Sequence, residues 1–158
     1  MEACFDPDRL EEILGRYPRE ETSLIQVLQD VQRTWNYLPC EVLAAVSKSL
    51  RVPLAKVFSV ATFYKAFSLK PQGRTIVKVC LGTACHIRGG EQLVDAIRRE
   101  KGIRPGETSP DREFTLLTVN CVGACAMAPI VIVGEKYNGG ALPAKMAKYL
   151  AEGAADEN

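Results

Sequence analysis

Two stretches decide how this chain folds: Thr75-Ile76-Val77-Lys78-Val79-Cys80-Leu81-Gly82-Thr83-Ala84-Cys85, and its echo Phe114-Thr115-Leu116-Leu117-Thr118-Val119-Asn120-Cys121-Val122-Gly123-Ala124-Cys125. Each starts as a run rich in β-branched residues, which predicts a strand, and each ends on a cysteine, a few small residues and a second cysteine. Between them the segment from about Gly89 to Lys101 sets Leu93, Ala96 and Ile97 on one helical face. The order β-α-β predicts two parallel strands joined by a right-handed crossover, so both cysteine loops leave the same edge of the sheet. Ile130 to Val133 and about Lys136 to Asn138 then read as short strands joined at Gly134-Glu135, and Pro143 to Glu152 as a closing helix. Such a hairpin extends the sheet, giving four strands of mixed direction.

Upstream of Pro71-Gln72-Gly73-Arg74, a turn, the period is helical. Asp6 is placed as an N-cap before Pro7, with Leu10, Ile13, Leu14 and Tyr17 on one face. A second helix from about Thr22 to Trp35 carries Leu24, Leu28 and Val31, and a third from about Pro39 to Leu50 carries Leu43 and Val46. A fourth carries Val57, Ala61, Tyr64 and Phe67. The expectation is an α+β protein, with an N-terminal helical bundle over residues 1–73 followed by an α/β domain over residues 74–158. The apolar stripes of the bundle are accounted for as its core.

Composition removes several functions. The 158 residues carry 20 Lys+Arg against 19 Asp+Glu, and the balance is even up to Lys70 and beyond it, so no basic face for nucleic acid or anionic lipid is expected. No apolar run approaches the roughly 20 residues that span a bilayer. The acidic start Met1-Glu2-Ala3-Cys4-Phe5-Asp6 lacks the basic and apolar regions of a signal peptide, so a cytoplasmic location is the expectation. In a reducing compartment, six cysteines point to metal or redox chemistry sooner than to disulfides.

Four of the six are paired in sequence, Cys80 and Cys85 as C-x4-C, Cys121 and Cys125 as C-x3-C, with 35 residues between the pairs. Four convergent thiolates suit a soft metal, either tetrahedral zinc or an iron–sulfur cluster. Structural zinc sites favour the tighter C-x2-C knuckle. Small loop residues, Gly82, Thr83 and Ala84 in one loop and Val122, Gly123 and Ala124 in the other, let backbone N–H groups approach an anionic cluster and raise its potential. The spacing therefore favours a [2Fe–2S] cluster over zinc, and both over a disulfide pair, for which a thioredoxin-type C-x-x-C is missing.

The runs Cys80-Leu81-Gly82-Thr83-Ala84-Cys85-His86-Ile87-Arg88-Gly89-Gly90 and Asn120-Cys121-Val122-Gly123-Ala124-Cys125-Ala126-Met127-Ala128-Pro129 resemble the thioredoxin-like [2Fe–2S] ferredoxin family. That family includes the small iron–sulfur subunit of respiratory complex I and its relatives in NAD(P)-linked hydrogenases and formate dehydrogenases. Leu28-Gln29-Asp30-Val31-Gln32, Tyr37-Leu38-Pro39, Val60-Ala61-Thr62-Phe63-Tyr64 and Pro71-Gln72-Gly73 carry the likeness through the helical half, so that it extends from about Asp6 to Leu150. The resemblance implies a thioredoxin-like domain and one [2Fe–2S] cluster ligated by Cys80, Cys85, Cys121 and Cys125. It also implies an electron-transfer subunit, not catalytic alone, that exchanges single electrons with a larger iron–sulfur partner binding FMN and NAD(H). The form Gly82-Thr83-Ala84-Cys85-His86 resembles the soluble hydrogenase and formate dehydrogenase relatives more than the respiratory subunit, and electron-bifurcating complexes are among the assemblies the family resemblance implies. On the residues alone, a zinc-stabilised interaction module and a free-standing ferredoxin stay open, although a carrier has little need of a four-helix arm.

Other positions invite a role. His86 follows a ligand cysteine directly, and a place outside the ligand set is expected for it. Cys40 is expected to be buried or half-exposed, and Cys4 to be a terminal thiol. Pro129 stands before a strand, where thioredoxin-like folds often place a cis proline. Arg88 could face an acidic partner or stabilise an anionic cluster. The aromatic run Phe63, Tyr64 and Phe67 ends the helical region, and suits packing between the regions or a docking surface.

Overall fold

The computed structural model describes residues 6–155, and these fall into two compact units that divide between Pro71 and Gln72. Cys4 lies outside the described residues. In the first unit, α1 (Pro7–Gly15) starts where the Asp6 carboxylate accepts the backbone N–H of Asp8 at 3.1 Å and of Arg9 at 3.4 Å, which satisfies two donors that the helix itself cannot. α2 (Leu24–Trp35) ends at Asn36, which takes a left-handed conformation, and α3 (Cys40–Leu50) ends the same way at Arg51. Pro39 and Pro53 stand immediately before α3 and α4 (Leu54–Phe63), where a missing N–H is harmless.

The buried positions follow the helical period: Leu10, Ile13 and Leu14; Leu24, Val27, Leu28 and Val31; Val42, Leu43, Val46 and Leu50; Val57 and Ala61. They form one apolar core. The Tyr17 hydroxyl donates to the Asp30 carboxylate at 2.7 Å and so ties the end of α1 to α2. That bond, first among its causes, raises the Tyr17 pKa above the usual tyrosine value.

One boundary differs from the sequence expectation. The apolar period suggests that the fourth helix continues through Tyr64 and Phe67, but α4 stops at Phe63, and Tyr64 is extended. Tertiary contacts override the period there. Ser68 is gripped from two sides, its N–H donating to Gln32 Oε1 at 2.9 Å and its carbonyl accepting the Leu38 N–H at 2.7 Å, while Phe67 folds back onto the helical core. Cys40 is also exposed, not buried or half-exposed as expected, because it occupies the first position of α3 rather than the core-facing stripe.

The second unit holds a four-stranded sheet of β1 (Thr75–Cys80), β2 (Phe114–Val119), β3 (Ile130–Val133) and β4 (Lys136–Gly139), in the order β2-β1-β3-β4. β1 and β2 are parallel and in register from Thr75 opposite Phe114 to Cys80 opposite Val119; β3 runs antiparallel to both β1 and β4. The expected α+β order with a mixed four-stranded sheet is what forms. Val77 and Val79 of β1, with Leu116, Val131 and Val133, pack against Leu93, Ala96 and Ile97 of a helix spanning Gly90–Lys101 and against Met146 and Leu150 of a closing helix, Met146–Ala155. The segment after β1 contains a short helix that no apolar period announces, α5 (Thr83–Ile87), so that the two longer helices become α6 and α7.

Candidate metal centre

The site is built at the shared end of β1 and β2. Because the two strands are parallel and in register, Cys80 ends one level with Val119 at the end of the other, and Cys121 follows only two residues later. The ladder runs one residue further, with the Leu81 N–H donating to the Val119 carbonyl at 2.8 Å, so both loops start side by side. Gly82 makes the close passage possible: a Cβ there would collide with the Asn120 carbonyl and lie 3.3 Å from the Cys121 Cβ. α5 then turns Cys85 inward. Gly90, at the start of α6, backs onto this pair closely enough that an added Cβ would lie 2.9 Å from the Cys80 carbonyl and 3.0 Å from that of Cys85.

The two pairs differ in their surroundings. Cys80 and Cys85 are 2% and 1% exposed and share a small apolar cluster with Ala128, Ile130 and Ile132, whereas Cys121 and Cys125 are exposed. Burial, and then the interaction with Cys80, push the Cys85 thiol pKa up, while the neighbouring Ile130 backbone works the other way. The Cys125 thiol is raised first by its bond with Cys121. Charge on Cys80 is felt at Cys125, and charge on Cys125 at Cys85, so the two pairs lie within electrostatic reach of one another.

The donor set fits a binuclear cluster. Cys121 and Cys125 hold their sulfurs 3.8 Å apart. Two thiolates bound tetrahedrally to one metal at about 2.3 Å are separated by about the same distance. Among the described residues no three or more His, Cys, Asp or Glu side chains are grouped around a point that would hold a single ion. The thiols come as two neighbouring pairs, which suits two irons taking one pair each better than one tetrahedral zinc. The Gly123 N–H, presented by a residue at φ 81°, donates to the Cys121 sulfur at 3.3 Å. The loop of small residues thus gives the exposed pair a backbone donor, and such a bond stabilises thiolate.

His86 stays outside this set, 56% exposed, with Nδ1 3.7 Å from a Glu91 oxygen. The Ala128–Pro129 peptide is cis. Two features escape sequence reasoning. α5 is too short for periodicity to reveal, and the Arg88 side chain at its end reaches across the site to donate to the Ala128 carbonyl at 3.2 Å. A side chain bonded to a backbone carbonyl forty residues away leaves no pattern in the sequence.

Comparison with known proteins places the chain among relatives of one family. Residues 10–154 match the family model described as thioredoxin-like [2Fe–2S] ferredoxin. The chain is 42% identical over 135 residues to the HndA subunit of the NADP-reducing hydrogenase of Solidesulfovibrio fructosivorans, covering 85% of this chain and 79% of that protein. It is 39% identical over 132 residues to an NADH-quinone oxidoreductase subunit of Rhizobium meliloti (strain 1021), covering 84% and 79%. An NAD+-reducing [NiFe]-hydrogenase crystal structure in the air-oxidized state shares the fold with a TM-score of 0.71 at 20% identity, over 87% of this chain and 24% of the hydrogenase chain.

Proposed function

The chain belongs to the thioredoxin-like [2Fe–2S] ferredoxin family, and on that premise we propose that it is the electron-transfer subunit of an NAD(P)H-linked flavin and iron–sulfur oxidoreductase complex. Cys80 and Cys85 would hold one iron of its [2Fe–2S] cluster, Cys121 and Cys125 the other. The observation that carries this reading is the convergence of two thiol pairs at the ends of two in-register parallel strands, one pair with its sulfurs 3.8 Å apart. When bound, the cluster supplies one-electron chemistry, whereas hydride transfer delivers two electrons and needs a flavin between. This chain has neither a G-x-G-x-x-G after a strand nor a P-loop, so FMN and NAD(P) are assigned to a larger partner subunit.

The chain's own residues contribute holding and tuning. β1 and β2 fix the loops, the Gly123 amide donates to the Cys121 sulfur, and the buried Cys80–Cys85 side keeps water from half of the site. The exposed Cys121–Cys125 side is the open edge, and electron exchange with the partner is assigned to it. The helical region, residues 1–73, serves as the docking arm. In support, Phe63 is 79% exposed beside Tyr64, and Ile25 and Leu54 also present apolar surface. The assembly is assigned to the cytoplasm; no helix among the described residues is long and apolar enough to cross a membrane. The Gly82-Thr83-Ala84-Cys85-His86 loop and the 42% identity to a hydrogenase subunit favour a hydrogenase, formate dehydrogenase or bifurcating complex.

The test is to purify the tagged full chain anaerobically from its native host and add NADH or NADPH. Recovery with an FMN-containing subunit, and pyridine-nucleotide reduction of an EPR signal belonging to this chain, is expected. A lone chain whose signal appears with dithionite but with no flavoprotein and nucleotide would favour a free carrier.

A further inference from the structure

Arg88 is the one permanently charged side chain in the two ligand-bearing stretches, residues 79–90 and 114–134. It caps α5, its own N–H donating to the Ala84 carbonyl at 3.2 Å, and α5 is held from behind by the close approach of Gly90 to the Cys80 and Cys85 carbonyls. From this fixed base its guanidinium crosses to the other ligand loop and donates to the Ala128 carbonyl at 3.2 Å. Ala128 is itself tied back to Cys125, with its N–H donating to the Cys125 carbonyl at 3.2 Å. Two residues on, Ile130 packs in the same small apolar cluster as Cys80 and Cys85. The chain path from Cys125 to Ile130 is thus fastened at its middle by Arg88 and packed at its end against Cys80 and Cys85.

We propose that Arg88 is a positioning residue that straps the Cys125 loop to the Cys85 helix and, as a fixed cation bridging the two ligand-bearing loops, favours the reduced state of the site. The proposal rests on the reading that the four cysteines hold a [2Fe–2S] cluster. The physical reasons are separable. The hydrogen bond to Ala128 fixes geometry, and any donor of suitable length supplies it. The charge acts on potential, because reduction adds negative charge to a site already negative, and a nearby guanidinium cannot be discharged by a change of pH. At an effective dielectric near 20, two unit charges about 12 Å apart are worth about tenfold in an equilibrium constant.

The experiment uses the full chain with its cluster assembled, comparing wild type, Arg88→Gln and Arg88→Lys by EPR-monitored redox titration, with thermal unfolding of each metal-free chain alongside. Gln keeps a donor and removes the charge; Lys keeps both. The expected result is that Arg88→Gln lowers the reduction equilibrium constant about tenfold, a fall of about 59 mV for one electron, with the metal-free unfolding temperature unchanged and Lys close to wild type. A fully loaded Gln variant at the wild-type potential overturns the proposal. If the Gln variant fails to retain a cluster, Lys decides: retention at the wild-type potential supports the proposal, and loss of the cluster in Lys as well overturns it. A wild-type chain with no cluster signal would instead refute the ligand reading, so the two failures are told apart.

Discussion

The helical unit and the α/β unit use the same kinds of apolar residue, yet only one of them interrupts its pattern to make chemistry. In the helices each stripe from Leu10 to Ala61 ends in a shared core, and a few large apolar side chains, Ile25, Leu54 and Phe63 among them, are left at the surface. In the α/β unit, β1 and β2 are equally regular until their last residues, and there the chain passes into loops of mostly small residues that carry the paired cysteines. A stretch that packs well but ends in small residues and thiols places its order at the service of a site. The helical unit is therefore expected to answer to changes of volume, and the α/β unit's strand ends to changes of a single atom.

The comparison can be broken most severely with Cys121→Ser, which removes one sulfur and hardly any volume. The cluster signal should be lost or its line shape and potential changed, and the metal-free chain should unfold at the wild-type temperature; an unaltered EPR spectrum would remove Cys121 from the ligand set. Leu28→Ala is the reverse case. Leu28 is fully buried in the helical core, and its truncation should cost about 2–5 kcal/mol in denaturant unfolding, while the spectrum of the folded, loaded protein stays the same. A change in potential in that variant would mean that the two units are not energetically separate.

Gly82→Ala lies between these extremes. The added methyl has to displace the Asn120 carbonyl, so a loss of about 1–3 kcal/mol is expected, together with lower iron content per chain. Tyr17→Phe should act only on the helical unit. Since the bond to Asp30 raises the Tyr17 pKa, its contribution is complete below the tyrosine value of about 10 and lost as pH rises through the higher folded value, so unfolding followed from neutral to alkaline pH should lose part of its pH dependence in the variant. Cys40→Ser should change nothing in iron content, spectrum or stability, because the thiol is exposed at the start of α3.

What the sequence made legible was whatever depends on period and spacing. The strands, their parallel order, the four core-facing helical stripes and the pairing of the thiols all follow from local patterns. The end of α4 did not, because Phe67 has the spacing of a helical residue and only the bonds from Ser68 to Gln32 and Leu38 show that the chain has turned away. α5 stayed hidden because five residues of Thr-Ala-Cys-His-Ile carry too few apolar positions to show a period. The asymmetry of the site, one pair buried and one exposed, and the strap from Arg88 to Ala128 arise from tertiary placement, to which the spacing of cysteines is blind.

The central claim is that four named thiols on two parallel strand ends hold one [2Fe–2S] cluster, and it is tested most directly by iron and sulfide analysis of the anaerobically purified chain together with its EPR spectrum after dithionite reduction. The account predicts a coloured protein with about two irons and two sulfides per chain and a signal from the reduced cluster. A colourless protein holding one zinc, with no sulfide and no signal, would contradict it.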